Sequence, residues 1–358
     1  MEGKLRIAVI GTGGMGRGHI RGWSQNPRVE IVALCDLVPE KCERIKAELN
    51  LDVPVYTDFR EMIEKEALDA VDVVTSNDYH SIAAVYALEK GLHVFCEKPD
   101  AINAAEAMKM KEASEKSGKV LMVMRNNRYY NNSRYLKDYV LSGKAGEIYA
   151  GRCGWIRRRG VPGRGGWFTE KAKSGGGPLI DLGVHVIDLC RYLMGNPKPV
   201  SVYGATFDKL GDRKHLKGRV AGYTSQTREG EAIFNVEDLA TAMIRFDNGA
   251  VLQIEASFSL NIEKDEGCIK LFGTKAGAKL DPELTIYSEM NGYMTNVTLA
   301  NSTALSFNGL FANEVNHFVE CVKTGQPCRN PAVDGVTLMK ILTGIYKSAE
   351  TGHEVVLD

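Results

Sequence analysis

A lysine between an acid and a proline, Glu97-Lys98-Pro99, directly follows a short apolar run in the first half of the chain. Such a run predicts a strand, so Lys98 lies at a strand end, where ligands bind in open α/β folds. Partial burial there lowers the pKa of a lysine toward the range of a useful acid or base. Lys98 is therefore a candidate proton-transfer residue, and the alternative is a surface lysine paired with Glu97.

A second candidate set lies in the segment from Leu179 to Met194, which has helical spacing. Asp181, His185 and Asp188 fall at positions i, i+4 and i+7, so one helix would present them on one face. An Asp and a His one turn apart can hold a substrate hydroxyl and relay its proton, whereas a solvated polar stripe is the alternative. The opposite side is apolar and favours the functional interpretation; it consists of Ile180, Val184 and Ile187.

Glycines at fixed spacing mark a candidate cofactor loop. Its residues are Gly11, Thr12, Gly13, Gly14, Met15 and Gly16. They follow a predicted strand and open a helical segment, the context in which GxGxxG indicates dinucleotide binding. Asp36 ends the next predicted strand, where a carboxylate binds the ribose hydroxyls and repels a 2′-phosphate. Because Leu37 adds no cation, the sequence predicts NAD rather than NADP.

Basic and aromatic side chains are concentrated in a glycine-rich stretch, residues 152–173. The candidate substrate contacts in it are Trp155, Arg157 and Trp167. An indole face stacks on the C–H face of a sugar and an arginine reaches its hydroxyls, so the stretch suits a lid over a polar, ring-shaped ligand. A contact between subunits explains the same composition about as well, and both can hold at once.

Residues 1–125 must position the cofactor loop and Lys98. Short β-branched runs alternate there with amphipathic segments, which predicts parallel βαβ units. The predicted strands are Ile7–Ile10, Ile31–Cys35, Ala70–Thr75, His93–Cys96 and Val120–Met124, and the predicted helices include Tyr79–Lys90 and Ala104–Lys116, with Gly118 as a C-cap. We therefore expect an α/β Rossmann domain built on a doubly wound parallel sheet.

From residue 126 onward, helical segments flank long alternating runs. Helices are predicted at Ser133–Leu141, Leu179–Met194, Ala312–Lys323 and Val333–Glu350, and strands at Asp238–Phe246, Val251–Phe258 and Cys268–Phe272. Asp247-Asn248-Gly249 is a hairpin signal between the first two strands. Residues 126–358 are expected to form an α+β domain on a largely antiparallel sheet, which binds substrate and mediates oligomerisation.

Composition excludes several classes of protein. In 358 residues, 45 basic side chains balance 45 acidic ones, so no overall field attracts nucleic acid or an anionic membrane. No signal-peptide pattern and no transmembrane stretch of about 18 apolar residues is present. The eight cysteines show no CxxC pair and no metal-ligand spacing, which predicts free thiols, no metal and a cytoplasmic location. Five histidines have no partner pattern and are interpreted as structural: His19, His93, His215, His317 and His353.

Several motifs, in order, resemble those of the Gfo/Idh/MocA oxidoreductase family over the whole chain. They are the glycine motif, Thr75-Ser76-Asn77-Asp78-Tyr79-His80, Glu97-Lys98-Pro99 and the stretch from Gly175 to Leu189. The resemblance implies that Thr75, Ser76, Asn77, His80, Glu97 and Lys98 contribute to the nicotinamide side of the cofactor site. It also suggests a cis Lys98–Pro99 bond and places Arg128 among the residues that line the substrate cleft. Ser76 stands where the family usually has Pro.

The resemblance implies NAD-dependent oxidation of a secondary hydroxyl of a sugar, glycoside or cyclitol, with Lys98, assisted by His185, removing the hydroxyl proton. The stretch 160–168, together with residues 175–185, looks most like members that oxidise the 3-hydroxyl of glucosides or anhydrosugars. One alternative is a glycoside hydrolase that oxidises C3 transiently with bound NAD. Another is a non-catalytic NAD-sensing protein, which the joint presence of Lys98, Asp181 and His185 disfavours. A homo-oligomer, dimer or tetramer, is expected.

Overall fold

The computed structural model describes residues 3–162, 166–211, 233–280, 283–299 and 307–358. By its internal contacts the chain divides into two units. Unit 1 comprises residues 1–126 and 306–336, and unit 2 comprises residues 127–305 and 337–358. The expected division at residue 125 assigns the segment 306–336 to the second domain. By its contacts, however, this segment groups with the first unit.

Unit 1 contains a parallel sheet. Its strands are β1 (Leu5–Ile10), β2 (Val29–Cys35), β3 (Val55–Tyr56), β4 (Ala70–Val73), β5 (His93–Cys96) and β6 (Leu121–Val123), with helices α1 (Gly14–Ser24), α2 (Pro39–Leu49), α3 (Phe59–Lys65), α4 (Asn77–Glu89) and α5 (Ala104–Ser117). The strand order is β3-β2-β1-β4-β5-β6, and every pair is parallel. The predicted doubly wound Rossmann sheet is therefore confirmed.

Local signals predicted most of these elements to within two or three residues. Gly118 ends α5 in the left-handed conformation, with φ +67°, as predicted. Strand β4 ends at Val73 rather than Thr75, because Ser76 already serves as the N-cap of α4. Strand β3 was not predicted, since two residues are too few to show alternation.

Unit 2 is built on a nine-stranded mixed sheet. Its strands are β7 (Ile148–Ile156), β8 (Pro199–Phe207), β9 (Leu239–Phe246), β10 (Val251–Ser257), β11 (Glu266–Gly273), β12 (Ala276–Leu280), β13 (Leu284–Met290), β14 (Tyr293–Thr298) and β15 (Val355–Val356). The order is β14-β13-β12-β11-β7-β10-β9-β8-β15, and only the pair β7–β10 is parallel among these described strands. Gly249, at φ +84°, turns the predicted hairpin between β9 and β10. The largely antiparallel α+β domain is confirmed.

The remaining helices are α6 (Asn131–Leu141), α7 (Lys171–Ser174), α8 (Val184–Leu193), α9 (Phe307–Thr324) and α10 (Ala332–Thr351). The segment predicted as one helix from Leu179 begins instead with a π-helical turn, Leu179–Gly183, and continues as α8. This turn packs on β10, since a Cβ added at Gly183 would lie 3.7 Å from Ile254 and Ala256. Among the helices in the described ranges, none is long and apolar enough to cross a membrane.

The stretch 152–173, predicted as a possible lid, is partly a strand. Arg152 and Trp155 belong to β7, which pairs with both β10 and β11 in the interior of the sheet. The following basic residues are also anchored, because the guanidinium groups of Arg158 and Arg159 donate to the carbonyls of Glu263 and Leu260. Residues 152–160 are thus held by strand pairing and by side-chain hydrogen bonds. Arg164 lies outside the described residues.

Helix α9 completes the core of unit 1. Trp23 of α1 is fully buried and makes edge-on contacts with Phe311 and Phe318 of α9. Phe95 of β5 contacts the same two rings. At Gly22 an added Cβ would lie 2.2 Å from the Phe311 ring, so only glycine allows this close approach. Aromatic packing, invisible to local periodicity, thus explains why this late segment joins the first unit.

Candidate active site

The glycine loop of unit 1 has the geometry of a pyrophosphate cradle. Gly11 has φ +97°, and an added Cβ there would lie 2.3 Å from the Val74 carbonyl oxygen. At Gly16 the Cβ would lie 2.0 Å from the Gly11 carbonyl oxygen, so neither position accepts a side chain. Gly13, the N-cap of α1, faces open space instead. The backbone amides at this helix N-terminus are therefore accessible to an anion, which fits a dinucleotide.

Asp36 is fixed against the same loop. Its Oδ2 accepts hydrogen bonds from the backbone N and the hydroxyl of Thr12, at 2.8 and 3.1 Å. Its Oδ1 accepts one from the backbone N of Val38 at 2.9 Å, and the ammonium group of Lys41 lies 3.7 Å away. The carboxylate is thus preoriented at the end of β2, where an adenosine ribose is expected. Residue 37 carries no positive charge, but Lys41 on α2 places one near this carboxylate.

The loop that carries Lys98 is held at its backbone. The Lys98–Pro99 bond is cis, as predicted. The backbone N of Lys98 donates to the Glu97 carboxylate at 2.9 Å. His80 Nδ1 lies 2.8 Å from the Pro99 carbonyl oxygen, and its Nε2 lies 3.3 Å from that of Thr75. His80 therefore ties the end of β5 to the end of β4, while the Lys98 side chain is half-exposed.

A network of buried charged side chains holds the loop that carries Lys98. His19 Nδ1 lies 2.9 Å from Asp72, and its Nε2 lies 3.1 Å from Glu97. Trp23 Nε1 donates to Asp72 at 2.6 Å. Burial alone would lower the His19 pKa, but the two carboxylates together raise it to about 10, so the ring is an imidazolium. Burial would raise the Glu97 pKa, and the hydrogen bond and charge of His19 lower it to about 2.

A second set of buried polar groups follows Pro99 in the structure of unit 1. Arg125 pairs with Asp100, which follows Pro99 in the chain. The backbone N of Arg125 donates to Glu314 at 2.5 Å, and Asn330 Nδ2 donates to the same oxygen at 2.9 Å. Burial raises the pKa of Glu314 to about 8, which leaves it protonated at neutral pH. Sequence analysis missed both sets because their members are far apart in the chain.

In unit 2, three of the predicted substrate residues come together. The rings of Trp155 and His185 lie 5.7 Å apart at 49°. The guanidinium of Arg157 lies 5.4 Å from the centre of the Trp155 ring. Asp181 lies on the π-helical turn that precedes His185, and both side chains are half-exposed. An aromatic face, a cation and an imidazole are thus available to one polar ligand. The Asp181 carboxylate lies on the preceding π-helical turn, and such turns occur frequently at functional sites.

Glu237 holds the beginning of this turn. Its carboxylate accepts from the backbone N of Gly177 at 2.9 Å, from that of Leu179 at 3.1 Å and from the Tyr346 hydroxyl at 2.7 Å. Burial raises the Glu237 pKa, and these donors oppose the rise. An acid at a helix N-terminus satisfies amides that have no partner within the helix. No motif in the sequence pointed to Glu237.

Asp188 and Arg128 form a buried pair. Arg128 donates to the two Asp188 oxygens from Nε at 2.9 Å and from Nη2 at 2.6 Å, and it also lies over the Tyr192 ring. Arg128 is 1% exposed and Asp188 4%. Asp188 therefore does not share the half-exposed face of Asp181 and His185. The structure places Arg128 where it orients α8 rather than on an exposed surface.

The other residues predicted to contact the cofactor or the substrate lie at the starts of helices or in short turns. Thr12 is buried beside Asp36, whereas Gly14 and Met15 open α1, with Met15 40% exposed. Ser76 donates to Asp78 at 2.6 Å ahead of α4, and Asn77 is buried. Trp167 stacks on Phe168 at 3.9 Å in a short 3₁₀ turn of its own.

A Rossmann unit with an open glycine loop and a fixed acid after β2 defines a dinucleotide-binding oxidoreductase. Residues 5–125 match the oxidoreductase family with an NAD-binding Rossmann fold, and residues 133–279 match the GFO/IDH/MocA C-terminal domain. The chain belongs to the Gfo/Idh/MocA family of oxidoreductases, and its cofactor is NAD. The resemblance seen in the sequence motifs is thereby confirmed.

Relatives with named activities extend over nearly the whole chain. The D-glucoside 3-dehydrogenase of Escherichia coli (strain K12) is 34% identical over 355 residues, covering 99% of this chain and 97% of that protein. The myo-inositol 2-dehydrogenase of Thermotoga maritima is 27% identical, covering 99% of each. A levoglucosan dehydrogenase structure in complex with NADH shares the fold, with a TM-score of 0.85 at 23% identity over 99% of each chain.

Proposed function

We propose that the protein uses NAD to oxidise a secondary hydroxyl of a sugar, glycoside or cyclitol. The observation that carries this proposal is the group formed by Trp155, Arg157 and His185 beside Asp181. An indole can stack on the C–H face of a ring while the polar groups bind its hydroxyls. Trp167 is proposed as a further aromatic contact. Arg128 acts through Asp188 as a positioning residue.

Bound NAD supplies the acceptor for the hydride of the carbinol carbon. The residues proposed to hold the cofactor are Gly11, Thr12, Gly13, Gly14, Met15, Gly16 and Asp36 for its ADP half, and Thr75, Ser76, Asn77 and Lys98 for its nicotinamide side. His80 and Glu97 contribute by fixing the loop, since their polar atoms already bind it. This preorganisation holds Lys98 in place before substrate arrives.

Lys98 and His185 are proposed to handle the proton of the substrate hydroxyl. Lys98 takes the proton as the carbinol carbon is oxidised, and His185 assists by binding the same hydroxyl. Asp181, one turn earlier, orients His185 and accepts a hydrogen bond from the substrate. Residues 1–125 are thus proposed to bind the cofactor and residues 126–358 the substrate. Within the second range, α9 packs into the core of unit 1.

Within this class, the 3-hydroxyl of a glucoside or anhydrosugar is the favoured substrate group. The stretch 160–168 first suggested it, and the E. coli relative is a D-glucoside 3-dehydrogenase. The relative from Thermotoga maritima, a myo-inositol 2-dehydrogenase, keeps cyclitols in the test set.

The test is NADH formation, followed by its absorbance, with a panel of methyl glucosides, levoglucosan, free sugars and inositols. A dehydrogenase forms one NADH for each keto product, and the product of a 3-oxidation carries the carbonyl at C3. An NAD-dependent glycoside hydrolase would instead release the aglycone with no net NADH. An NAD-sensing protein would bind NAD and turn over nothing in the panel.

We also propose that the protein works in the cytoplasm as a homo-oligomer, dimer or tetramer. All eight cysteines are free thiols, which suits a reducing compartment. One face of the nine-stranded sheet exposes large apolar side chains, including the paired Tyr203 and Met243, each 54% exposed. Phe272 continues this face. Light scattering of the wild type and of Met243→Glu tests the proposal; a monomeric wild type rejects it.

A further inference from the structure

Three metal-ligating side chains of unit 1 form a cluster that the proposed reaction does not use. His317 and Cys321 lie one turn apart on α9, and Cys328 lies in the segment between α9 and α10. One ligand atom from each residue lies within 4.8 Å of the other two. Cys321 is buried, whereas His317 and Cys328 are half-exposed, so solvent reaches the cluster.

The spacing of the ligand atoms fits one tetrahedral cation. Zinc–sulfur and zinc–nitrogen bonds of about 2.3 and 2.0 Å at a tetrahedral angle place the two ligand atoms about 3.5 Å apart. The observed separation between His317 Nε2 and Cys321 Sγ is 3.5 Å. A histidine and a cysteine at i and i+4 reach one cation without any change in the helix. The third ligand comes from the following loop.

Backbone amides of that loop orient two of the three ligands. The backbone N of Arg329 donates to His317 Nε2 at 2.8 Å, and that of Asn330 donates to Cys328 Sγ at 3.4 Å. His317 Nε2 is therefore unprotonated and carries its lone pair, the form of the ring that binds metals. Metal binding at this nitrogen would replace its hydrogen bond with the Arg329 amide.

We propose that His317, Cys321 and Cys328 bind one Zn²⁺ ion, with a water molecule as the fourth ligand. Two sulfurs and an imidazole form a donor set typical of zinc. The two thiols release their protons to the solvent on binding and coordinate as thiolates. Sequence analysis missed the site because one ligand is a histidine and the two cysteines have six residues between them, outside the CxxC patterns.

The site would fasten the loop between α9 and α10 to α9. Asn330, two residues after Cys328, donates both to Glu314 at 2.9 Å and to the Val123 carbonyl at the end of β6, at 3.2 Å. A bound zinc ion would therefore fix the loop segment that contains Asn330, which binds Glu314 and Val123. Its role is structural, so binding raises the thermal stability of the full-length protein.

The test uses full-length protein, reduced and freed of metal, with its eight thiols verified by titration. Zinc uptake is measured by competition with a chromophoric chelator, and Co²⁺ replaces zinc to report tetrahedral thiolate ligation by its visible spectrum. Wild type is expected to bind one equivalent and to gain thermal stability. Cys328→Ser is expected to lose affinity by about 10- to 100-fold or more. Cys268→Ser, which removes a half-exposed cysteine outside the cluster, is the matched control.

Two outcomes overturn the site: no uptake by the fully reduced wild type, or equal uptake by wild type and Cys328→Ser. His317→Asn provides a second variant that leaves both thiols in place, and it is expected to weaken binding in the same way. Circular dichroism of each metal-free variant shows whether it is folded. Because the readouts are metal content and spectrum, the result does not depend on the proposed dehydrogenase activity.

Discussion

The loop that carries Lys98, the proposed proton-transfer residue, is held by buried polar groups of unit 1. Glu97 is fixed by the His19 imidazolium and by the Lys98 amide, and His80 bridges two loop carbonyls. Such groups lose little freedom when substrate binds, which is the basis of preorganised catalysis. Each of these residues can be changed singly, so their contributions are separable.

Lys98→Ala is expected to leave NAD binding near that of wild type and to lower turnover by a factor on the order of 10² to 10⁴, the usual range for an acid–base group. The measurement is kcat across a pH series, with NAD affinity by fluorescence. Lys116→Ala, an exposed lysine at the end of α5, is the control and should change neither. Full turnover of Lys98→Ala at every pH would remove Lys98 from the reaction.

Asp36→Ala combined with Leu37→Arg is expected to shift preference toward NADP. The change removes the carboxylate that repels a 2′-phosphate and adds a cation beside Lys41. Position 37 is exposed and Asp36 half-exposed, so the two effects together are worth about 1 to 2 kcal/mol, and the ratio of kcat/KM values should move by about tenfold or more. Leu37→Arg alone is the control. A wild type that already uses both cofactors equally would contradict the role of Asp36.

The buried charges of unit 1 give its stability a defined pH dependence. The His19 contribution is complete below pH 6.5 and is lost as the pH rises to about 10. Protonated Glu314 contributes below pH 4.5, and this is lost as the pH rises to about 8. Glu97 contributes above pH 4.5 and loses its effect as the pH falls to about 2. The contributions of His19 and Glu314 are therefore expected to decline as the pH rises above neutral, and that of Glu97 only in acid.

Calorimetric midpoints of wild type, His19→Gln and Glu314→Gln across this range test the assignment. Glu314→Gln should remove the part of the decline that is complete by about pH 8, and His19→Gln should flatten the part above it. His19→Gln is also expected to lower the midpoint at neutral pH, because it leaves two buried carboxylates without their cation. Parallel curves for all three proteins would show that neither group titrates as described.

Sequence predicted the residues whose partners are local and missed those whose partners are distant. The glycine loop is recognisable because strand, turn and helix follow one another within a few residues. His19 meets Asp72 and Glu97 at separations of 53 and 78 residues, and no periodicity reports such a contact. Arg128 and Asp188 are 60 residues apart, so the burial of Arg128 was equally hidden.

At the scale of elements, the π-helical turn before α8 is the least regular feature of unit 2. Sequence spacing predicted a continuous helix there, because one extra residue in a turn leaves the apolar pattern almost unchanged. Glu237 binds the amides of Gly177 and Leu179, and a Cβ at Gly177 would lie 2.2 Å from the Glu237 carbonyl. The turn is therefore held by the Glu237 carboxylate, which precedes β9, and by the close approach of Gly177 to the Glu237 backbone. A helical pattern in the sequence reveals neither contact.

Glu237→Gln is expected to lower the free energy of unfolding by about 1 to 3 kcal/mol, since a buried amide group then faces a backbone N–H. The same change should reduce kcat by displacing Asp181 and His185. Thermal midpoint and steady-state kinetics are the measurements, with Glu255→Gln on β10 as the control. Unchanged kinetics in a destabilised variant would restrict Glu237 to a role in folding.

At the scale of the whole molecule, the proposal assigns proton handling to one residue from each unit. If Lys98 and His185 act together, each single substitution should cost most of the rate and the double substitution little more, because groups that act as a unit are non-additive. Measuring kcat for Lys98→Ala, His185→Asn and the double variant gives the coupling. Additive losses in activation free energy would show that the two residues act separately.

Because α9 supplies the aromatic rings that cover Trp23 and Phe95, unit 1 is completed by residues that are synthesised long after residue 125. On the ribosome, the first 125 residues emerge with this aromatic surface still open to water, and residues 127–305 of unit 2 must be translated before α9 can cover it. A fragment that stops at residue 125 would keep the glycine loop and yet expose an apolar face. The order of synthesis thus differs from the order of completion, and α9 decides when unit 1 becomes native.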